Sequence, residues 1–355
     1  MKRKSLLALG MVVAMTATMM AGCGSSSSDS STAASDSTEA ADTADTSADA
    51  AAEESKGGDY KIAVVPKMTN IGWFQRMEEG VNDYNKENGT DYVYRGSAEG
   101  ADQAGIVEQM LAEDWDAICV VPFDSESLAP VLEKAREQGI VVITHEASSM
   151  DPKYFDYDIE AFVNADYGTH FAEAISDITG GEGTYIQFVG DLNSVSHNEW
   201  CDAADEYFAA NTNMTKLGRY ETGDDTTSSY NQTKELLQAN PDITAIEGSA
   251  STDVVGAAQA VDELGLTGKV AVVGTSMTSI ARNYVEKDVI NTFSVWDPAK
   301  AGQAMIELAI DVLDNGEAPD ALNVEGYESL TAEGTVLYGN ARVDVTKDNM
   351  DEYDF

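Results

Sequence analysis

Short apolar runs alternate with amphipathic stretches along the chain from residue 60 onward. The first run, residues 61–65, consists of β-favouring residues, and Pro66, Asn70 and Gly72 break it before a helical pattern starts. One face of that helix is apolar and the other is charged. The apolar face is formed by Phe74, Met77, Val81 and Tyr84. Because such a face packs on a sheet, the stretch predicts a buried strand followed by a helix, the unit of an α/β fold.

The same unit repeats until the pattern changes near residue 151. Strands are predicted at 91–96, 116–122 and 140–146, and helices around Ile106, Met110 and Leu111 and at 126–138. Residues 151–157, which include proline and aromatic residues, interrupt the alternation and indicate a boundary. A doubly wound parallel sheet is the simplest fold for such alternation.

A second series of units follows this boundary. Strands are predicted at 159–164, 184–189, 216–220, 243–247 and 270–274, and helices at 167–178, 198–210, 230–238, 254–264 and 279–287. A strand at 290–296, a helix at 299–313 and weaker strand signals near Val324 and at 335–338 complete the chain. Because about 300 residues exceed what one ordinary core holds, we predict two lobes of similar α/β architecture.

The first 58 residues have a different composition. Lys2, Arg3 and Lys4 precede an apolar run at 6–20 that is too short to span a membrane, and small residues precede Cys23. This ending resembles the lipobox of bacterial lipoproteins, which implies a signal peptide at 1–22 and a lipid on Cys23. The alternative is an ordinary cleaved signal with an incidental cysteine. Residues 23–58, rich in Ser, Ala, Thr and Asp, predict a disordered tether to the membrane.

Charge excludes some partners. The formal net charge is −42, so nucleic acid and anionic lipid headgroups, which need a basic face, are not expected to bind. We therefore expect membrane attachment only through the N-terminal lipid, and an extracytoplasmic location. Cys119 and Cys201 fall in segments of different lobes, which favours buried free thiols over a disulfide.

Catalytic and metal-binding motifs are missing from the sequence. The three histidines do not form a His-Glu-x-x-His motif, and no Cys-x-x-Cys, Gly-x-Ser-x-Gly or phosphate-loop motif occurs. The acidic stretch 151–160 has no central glycine of a calcium loop. We therefore expect no enzymatic activity, no metal and no cofactor.

Polar and aromatic residues follow two of the predicted strands, where ligands collect in open α/β sheets. Lys67, Asn70, Trp73 and Phe74 follow the first strand, and Glu146 ends the strand at 140–146. A sugar needs hydrogen-bonding groups for its hydroxyls and an aromatic surface for its C–H face. Lys67 supplies donors, ionised Glu146 supplies acceptors, and a buried carboxylate is costly without a partner. The alternatives are a solvated Lys67 and a purely structural Phe74.

Several short motifs, in this order and spacing, carry a resemblance to a known family. They are Val64-Val65-Pro66-Lys67 with Gly72-Trp73-Phe74, Val142-Ile143-Thr144-His145-Glu146, Asn198-Glu199-Trp200, Ala257-Ala258-Gln259-Ala260, Trp296-Asp297 with Gly302, and Tyr353-Asp354-Phe355. Residues 60–355 resemble a type I periplasmic binding protein, the solute receptor of an ABC importer. Within that class they are most similar to the autoinducer-2, rhamnose and ribose receptors.

The resemblance implies an α/β fold of two Rossmann-like lobes joined by three crossing segments. Lobe 1 would comprise residues 59–160 plus 297–322, and lobe 2 residues 161–296 plus 323–355. The crossings would lie near 159–164, 292–296 and 324–330. Movement about such crossings closes the lobes on a ligand.

The resemblance also implies a ligand set and partners. Lys67, Trp73 and Glu146 would bind a small neutral sugar or polyol from one lobe, and His197, Asn198 and Ser251 from the other. Asn70, Phe74, Ser249 and Asp297 are further candidates, although Asp297 could instead cap the helix that begins at Pro298. The implied partners are an ABC permease and its ATPase.

The sequence departs from the autoinducer-2 receptors at two places in this set. Ser196 and His197 stand where those receptors have Asp-Gln, and Ser249-Ala250-Ser251 replaces their Pro-x-Ala contact. A pentose, a deoxyhexose or a related polyol therefore fits at least as well as autoinducer-2. The alternative functions are a receptor that reports ligand occupancy to a membrane kinase, and a secreted hydrolase, for which no converging nucleophile and base are found.

Overall fold

The structure, a computed structural model, describes residues 60–355. The predicted signal peptide at 1–22, lipidation at Cys23 and tether at 23–58 lie outside the described residues. No helix in the described part of the chain is long and apolar enough to cross a membrane.

The first half of this region forms a parallel sheet with helices between its strands. The strands are β1 Ile62–Val65, β2 Val93–Tyr94, β3 Ala117–Val120, β4 Val141–Thr144 and β5 Tyr157–Glu160. The helices are α1 Gly72–Asn88, α2 Gln103–Met110 and α3 Ser125–Glu137. Residues of β1 and β3 are apolar and buried throughout, as expected for parallel strands covered on both faces.

A second parallel sheet follows. Its strands are β6 Thr184–Val189, β7 Thr215–Glu221, β8 Ile243–Gly248, β9 Ala271–Thr275 and β10 Thr292–Val295. Its helices are α4 Asn164–Thr179, α5 Val195–Asn211, α6 Thr226–Ala239, α7 Asp253–Glu263 and α8 Thr278–Glu286. The chain continues with α9 Pro298–Asn315, β11 Thr331–Glu333, β12 Val336–Tyr338 and β13 Val343–Val345.

The strand orders define two lobes. The first sheet has the order β11-β12-β5-β4-β3-β1-β2 and the second β13-β10-β9-β8-β6-β7. Helix α9 packs against α1 and the strands of the first sheet. The predicted α/β class with two Rossmann-like lobes is therefore confirmed.

The C-terminal segment departs from the prediction. Residues 323–355 were expected in lobe 2, but β11 and β12 extend the first sheet, where β12 runs parallel to β5 and buries Leu337. Only β13 joins the second sheet, antiparallel to β10. The weak apolar pattern of these three-residue strands does not indicate which sheet edge they cover.

The crossings between the lobes follow from this topology. Residues 161–163 connect β5 to α4, and residues 296–297 connect β10 to α9. The third crossing lies at 339–342, between β12 and β13, and not at 324–330. The predicted strand at 159–164 is shifted to Tyr157–Glu160 because Asn164 already begins α4.

The two described cysteines are free and buried. Cys119 lies in β3 of the first sheet and Cys201 in α5 of the second lobe. Burial raises the pKa of both thiols, so both are held protonated. The expectation of free thiols is confirmed.

Candidate functional site

One cavity lies where the carboxyl ends of strands from both sheets meet. Lobe 1 lines it with the loop after β1, the start of α1 and the loop after β4. Lobe 2 lines it with α5, the last residue of β9 and the segments that follow β7, β8 and β10. Its lining residues are Lys67, Ile71, Trp73, Phe74, Glu146, His197, Trp200, Asp224, Ser249, Ala250, Ser251, Thr275 and Trp296. Seven of the ten predicted ligand-binding residues are among them: Lys67, Trp73, Phe74, Glu146, His197, Ser249 and Ser251.

A buried ion pair forms the polar centre of lobe 1. Lys67 Nζ lies 2.5 Å from Glu146 Oε2, and the side chains are only 3% and 4% exposed. Burial opposes ionisation of both groups, but their mutual attraction outweighs it: the pKa of Lys67 is raised, and that of Glu146 is lowered to about 2. Ser196 Oγ of lobe 2 donates to Glu146 Oε2 at 3.2 Å, so the pair also contacts the opposite lobe.

Two carboxylates at the cavity have a backbone conformation that few residues other than glycine adopt. The φ angle of Glu146 is 60° and that of Asp224 is 54°. Such left-handed geometry costs about 1 to 3 kcal/mol and is concentrated at functional sites. Glu146 and Asp224 come from opposite lobes, which indicates that each loop is shaped to present a carboxylate to the cavity.

His197 presents a neutral hydrogen-bond donor from lobe 2. Its Nδ1 accepts the backbone N–H of Gly190 at 3.0 Å, which places the ring proton of the neutral tautomer on Nε2. Burial and the nearby Lys67 ammonium lower the pKa of His197 to about 3. The ring therefore stays uncharged at neutral pH.

Asp224 was missed by the sequence reasoning. The side chain is 4% exposed, and its Oδ1 atom has no hydrogen-bond partner within residues 60–355. Burial raises its pKa to about 6, against the attraction of Lys67. The signal was available, because Gly223 and Asp224 follow the predicted strand at 216–220 at the end of the strand where ligands collect.

Aromatic rings form one wall of the cavity and extend to the crossing at 296–297. Trp73, in the first turn of α1, meets Trp296 edge to face with 4.5 Å between ring centroids. Trp296 in turn packs against Phe162 of the crossing at 161–163. The Nε1 atom of Trp296 is buried without a hydrogen-bond partner among the described residues, so the indole retains a donor. Trp296 belongs to a motif of the resemblance but was not predicted as a site residue.

The structure does not bring Asn70, Asn198 and Asp297 into the cavity. Asn70 is exposed and lines an outer groove. Asn198 donates to the carbonyls of Leu192 and Ser194 and accepts from Arg219, so its polar atoms are used within lobe 2.

Asp297 has the structural role that the sequence left open. Its Oδ1 accepts the N–H of Ala299 and caps α9, and its carboxylate forms two hydrogen bonds with the Arg76 guanidinium. The position of Asp297 directly before the helix that begins at Pro298 therefore predicted its role correctly, whereas its position at the end of a strand did not.

The described residues offer no cluster for a metal ion. No group of three or more His, Cys, Asp or Glu side chains in residues 60–355 is arranged to hold one. The cavity instead combines one paired ammonium, two carboxylates, a neutral imidazole, hydroxyls and indole rings, a set suited to hydrogen bonding with a neutral polar molecule.

Comparison of the sequence with known proteins identifies the family of the chain. A family model described as a periplasmic binding protein domain matches residues 62–318. The D-allose-binding periplasmic protein of Escherichia coli is 29% identical over 266 residues, covering 72% of this chain and 86% of that protein.

Solved structures share the fold at lower identity. A solute-binding protein of Clostridium phytofermentas with bound L-rhamnose has a TM-score of 0.75 at 21% identity, covering 83% of this chain and 98% of that one. LsrB of Clostridium saccharobutylicum in complex with AI-2 has a TM-score of 0.75 at 20% identity, covering 83% and 100%. The family model spans more than half of the sequence, and the chain belongs to the periplasmic binding protein family.

Proposed function

We propose that the protein is the lipid-anchored substrate-binding protein of an ABC importer and captures a small neutral sugar between its lobes. The main support is that the Lys67–Glu146 pair of lobe 1 and the His197 and Asp224 side chains of lobe 2 line one cavity. The binding of allose, rhamnose, D-arabinose and AI-2 by similar proteins supports a pentose, a deoxyhexose or an AI-2-like polyol as ligand.

The charges at the cavity favour a neutral ligand. Lys67 is the one cation among the lining residues, and Glu146 already neutralises it. A phosphate or carboxylate would meet Asp224 and Glu146 without a free cation to compensate. Hydroxyl groups, in contrast, donate to carboxylates and accept from an ammonium or imidazole N–H.

The available groups are sufficient for useful affinity. A hydrogen bond to a charged group contributes about 1.5 to 3 kcal/mol, and a micromolar ligand needs about 8 kcal/mol. Lys67, Glu146 and Asp224 offer three charged partners, and Trp73 and Trp296 offer apolar faces. Three such bonds contribute about 4.5 to 9 kcal/mol, which brackets this requirement, and contact with the apolar faces offsets the loss of translational and rotational freedom.

Ligand entry requires the lobes to move apart. The cavity has a volume of about 20 Å³, which is about enough for one water molecule. A sugar ring therefore enters when the crossings at 161–163, 296–297 and 339–342 allow the lobes to separate, and its contacts with both lobes stabilise closure.

Lipid attachment at Cys23 and the tether at 23–58 complete the proposal. They would hold the binding domain at the outer face of the membrane, where an ABC permease and its ATPase would receive the ligand. The acidic sequence is compatible with this arrangement because the anchor needs no basic surface on the folded domain.

A ligand panel tests the function. We expect thermal-shift and calorimetric titrations of the purified protein with pentoses, deoxyhexoses, hexoses and AI-2 to identify at least one micromolar ligand. A ligand at about a hundred times its dissociation constant adds about 2.7 kcal/mol to stability, so the melting temperature should rise. If no sugar or polyol changes the melting temperature or gives heat of binding, the proposed function is wrong.

A further inference from the structure

A second, larger space adjoins the cavity. This outer groove has a volume of about 660 Å³ and shares Ile71, Asp224 and Ser251 with the cavity lining. It lies between lobe 1, which contributes residues 98–101 and Phe123, and lobe 2, which contributes residues 223–226 and Thr252. Its volume is within the range of about 300 to 1,000 Å³ that is typical of small-molecule sites.

Two buried polar atoms of the groove lining have no protein partner. Asp224 Oδ1 and Thr252 Oγ1 lie in side chains that are 4% and 7% exposed, and neither makes a hydrogen bond within residues 60–355. Thr252 is the N-cap residue of α7, a position where threonine usually bonds to its own helix, but its hydroxyl makes no capping bond. Both atoms are covered by protein in this closed arrangement, and unpartnered buried polar atoms are costly, so a ligand that binds while the lobes are apart would gain by supplying their hydrogen bonds.

The groove has the composition of a site for a neutral hydroxylated ring. No lysine or arginine of the described chain lines it, whereas Glu99, Asp224 and Asp225 do, which excludes an anionic occupant. Phe123 supplies an apolar surface and packs on Gly100, where an added Cβ atom would lie 2.6 Å from its ring. Asn70, which does not reach the inner cavity, lines this groove and offers both donor and acceptor atoms.

We propose that the outer groove is a second sugar subsite and that the ligand is a glycoside or disaccharide, with one ring in the cavity and the next ring in the groove. This inference rests on the proposed sugar-binding function. The shared residue Asp224 would accept a hydroxyl proton at the junction of the two rings, and Thr252 would bond to the outer ring.

The first experiment compares free sugars with their own glycosides. The free sugar of the panel that binds best is titrated calorimetrically beside its methyl glycoside and the disaccharide that carries a second neutral ring on the same sugar. We expect the disaccharide to bind at least tenfold more tightly than the free sugar, with the methyl glycoside between them. A disaccharide that binds more weakly than the free sugar overturns the inference but leaves the proposed function intact.

A matched pair of substitutions locates the effect. Thr252→Val removes the groove hydroxyl and keeps the side-chain shape, and Thr233→Val removes another buried hydroxyl without a partner, in α6 and outside the groove lining. We expect Thr252→Val to weaken disaccharide binding about three- to tenfold and to leave free-sugar binding unchanged. Thr233→Val should change neither affinity. Equal effects of the two substitutions would contradict the assignment of Thr252.

Filling the groove gives a second test. Ala98 is exposed and lines the groove, so Ala98→Trp should reduce the preference for the disaccharide to about one and keep free-sugar binding. Ala210→Trp, at an exposed alanine of α5, is the control for the added indole. A disaccharide preference that survives Ala98→Trp overturns the subsite. Absence of binding by free sugars and disaccharides alike instead overturns the proposed function.

Discussion

Replacing Lys67 with methionine tests the electrostatic centre of the site. The substitution keeps an unbranched side chain of similar length and removes the charge that compensates Glu146. Both side chains are almost fully buried, so water does not replace the lost partner. Removal of one member of a buried ion pair costs about 3 to 5 kcal/mol, of which the remaining hydrogen bond from Ser196 offsets only a part.

The effect should depend on pH in a defined direction. In the wild-type protein the pKa of Glu146 is lowered to about 2, so its contribution to stability is present above its ordinary pKa and is lost only as the pH falls towards 2. Without Lys67, burial dominates and raises the pKa of Glu146 above its ordinary value. The variant is then most destabilised at neutral pH and recovers as the pH falls and Glu146 takes up a proton.

Thermal and urea denaturation at pH 7.5 and pH 5 measure this difference. We expect Lys67→Met to lower the melting temperature by roughly 5 to 10 °C at pH 7.5 and by less at pH 5. Lys134→Met, which breaks an exposed pair with Glu108, should cost less than about 1 kcal/mol. The double variant Lys67→Met with Glu146→Gln should recover most of the stability but no sugar binding. A Lys67→Met protein as stable as Lys134→Met at pH 7.5 would refute the reasoning.

Three further predictions follow from the described contacts. Trp73→Ala should weaken sugar binding more than tenfold in calorimetry because it removes an apolar face of the cavity; an unchanged dissociation constant would exclude a role in binding. Asp297→Ala should destabilise the protein by about 1 to 2 kcal/mol through loss of the α9 cap and of the partly exposed pair with Arg76. It should leave sugar affinity unchanged, since Asp297 lies outside the cavity; a tenfold weaker affinity would contradict that assignment. Burial raises the pKa of Glu247 to about 8 and that of Asp253 to about 7, so their folded states bind protons that the unfolded chain releases, and stability should fall as the pH rises from 6 to 8. Glu247→Gln should flatten this fall in melting temperature, and an unchanged slope would show that Glu247 does not titrate in that range.

Most of the fold could be predicted from hydrophobic periodicity because the sheets are buried on both faces. Strand β6 lies at the predicted residues 184–189, and α1 buries the apolar face predicted from Phe74, Met77, Val81 and Tyr84. Prediction failed where elements are short and half-exposed. Strand β11 has three exposed residues, so neither its existence nor its place at the edge of the first sheet is encoded in an apolar pattern.

The position of a site residue could be predicted where the residue directly follows a buried strand. It could not be predicted on a helix, where the rotation of the helix determines which side chain faces the cavity. Lys67 and Glu146 come directly after β1 and β4, so the end of the strand fixes their position. His197 and Asn198 are neighbours in the first turns of α5, and the rotation of about 100° per residue turns His197 towards the cavity and Asn198 towards Arg219. Asp224 follows β7, a strand without a buried residue, and depends on a left-handed turn, so the sequence indicates it only through the strand end and the preceding Gly223.

The distribution of contacts between the lobes indicates how a ligand could control closure. Beside the crossing at 161–163, Ser148 of lobe 1 donates to Glu199 of lobe 2 at 2.6 Å, and Asn164 Nδ2 donates to both side chains. At the cavity, the hydrogen bond from Ser196 to Glu146 is longer, at 3.2 Å, and uses a carboxylate that Lys67 already neutralises. The firm contacts therefore lie where the lobes are joined and remain close in any hinge motion, whereas those at the cavity are few. A ligand shifts the equilibrium between open and closed lobes only by as much as it binds the closed form more tightly. A sugar that bonds to Glu146 and Asp224 together contacts both lobes, and it therefore supplies the free energy of closure that the few protein contacts at the cavity do not provide.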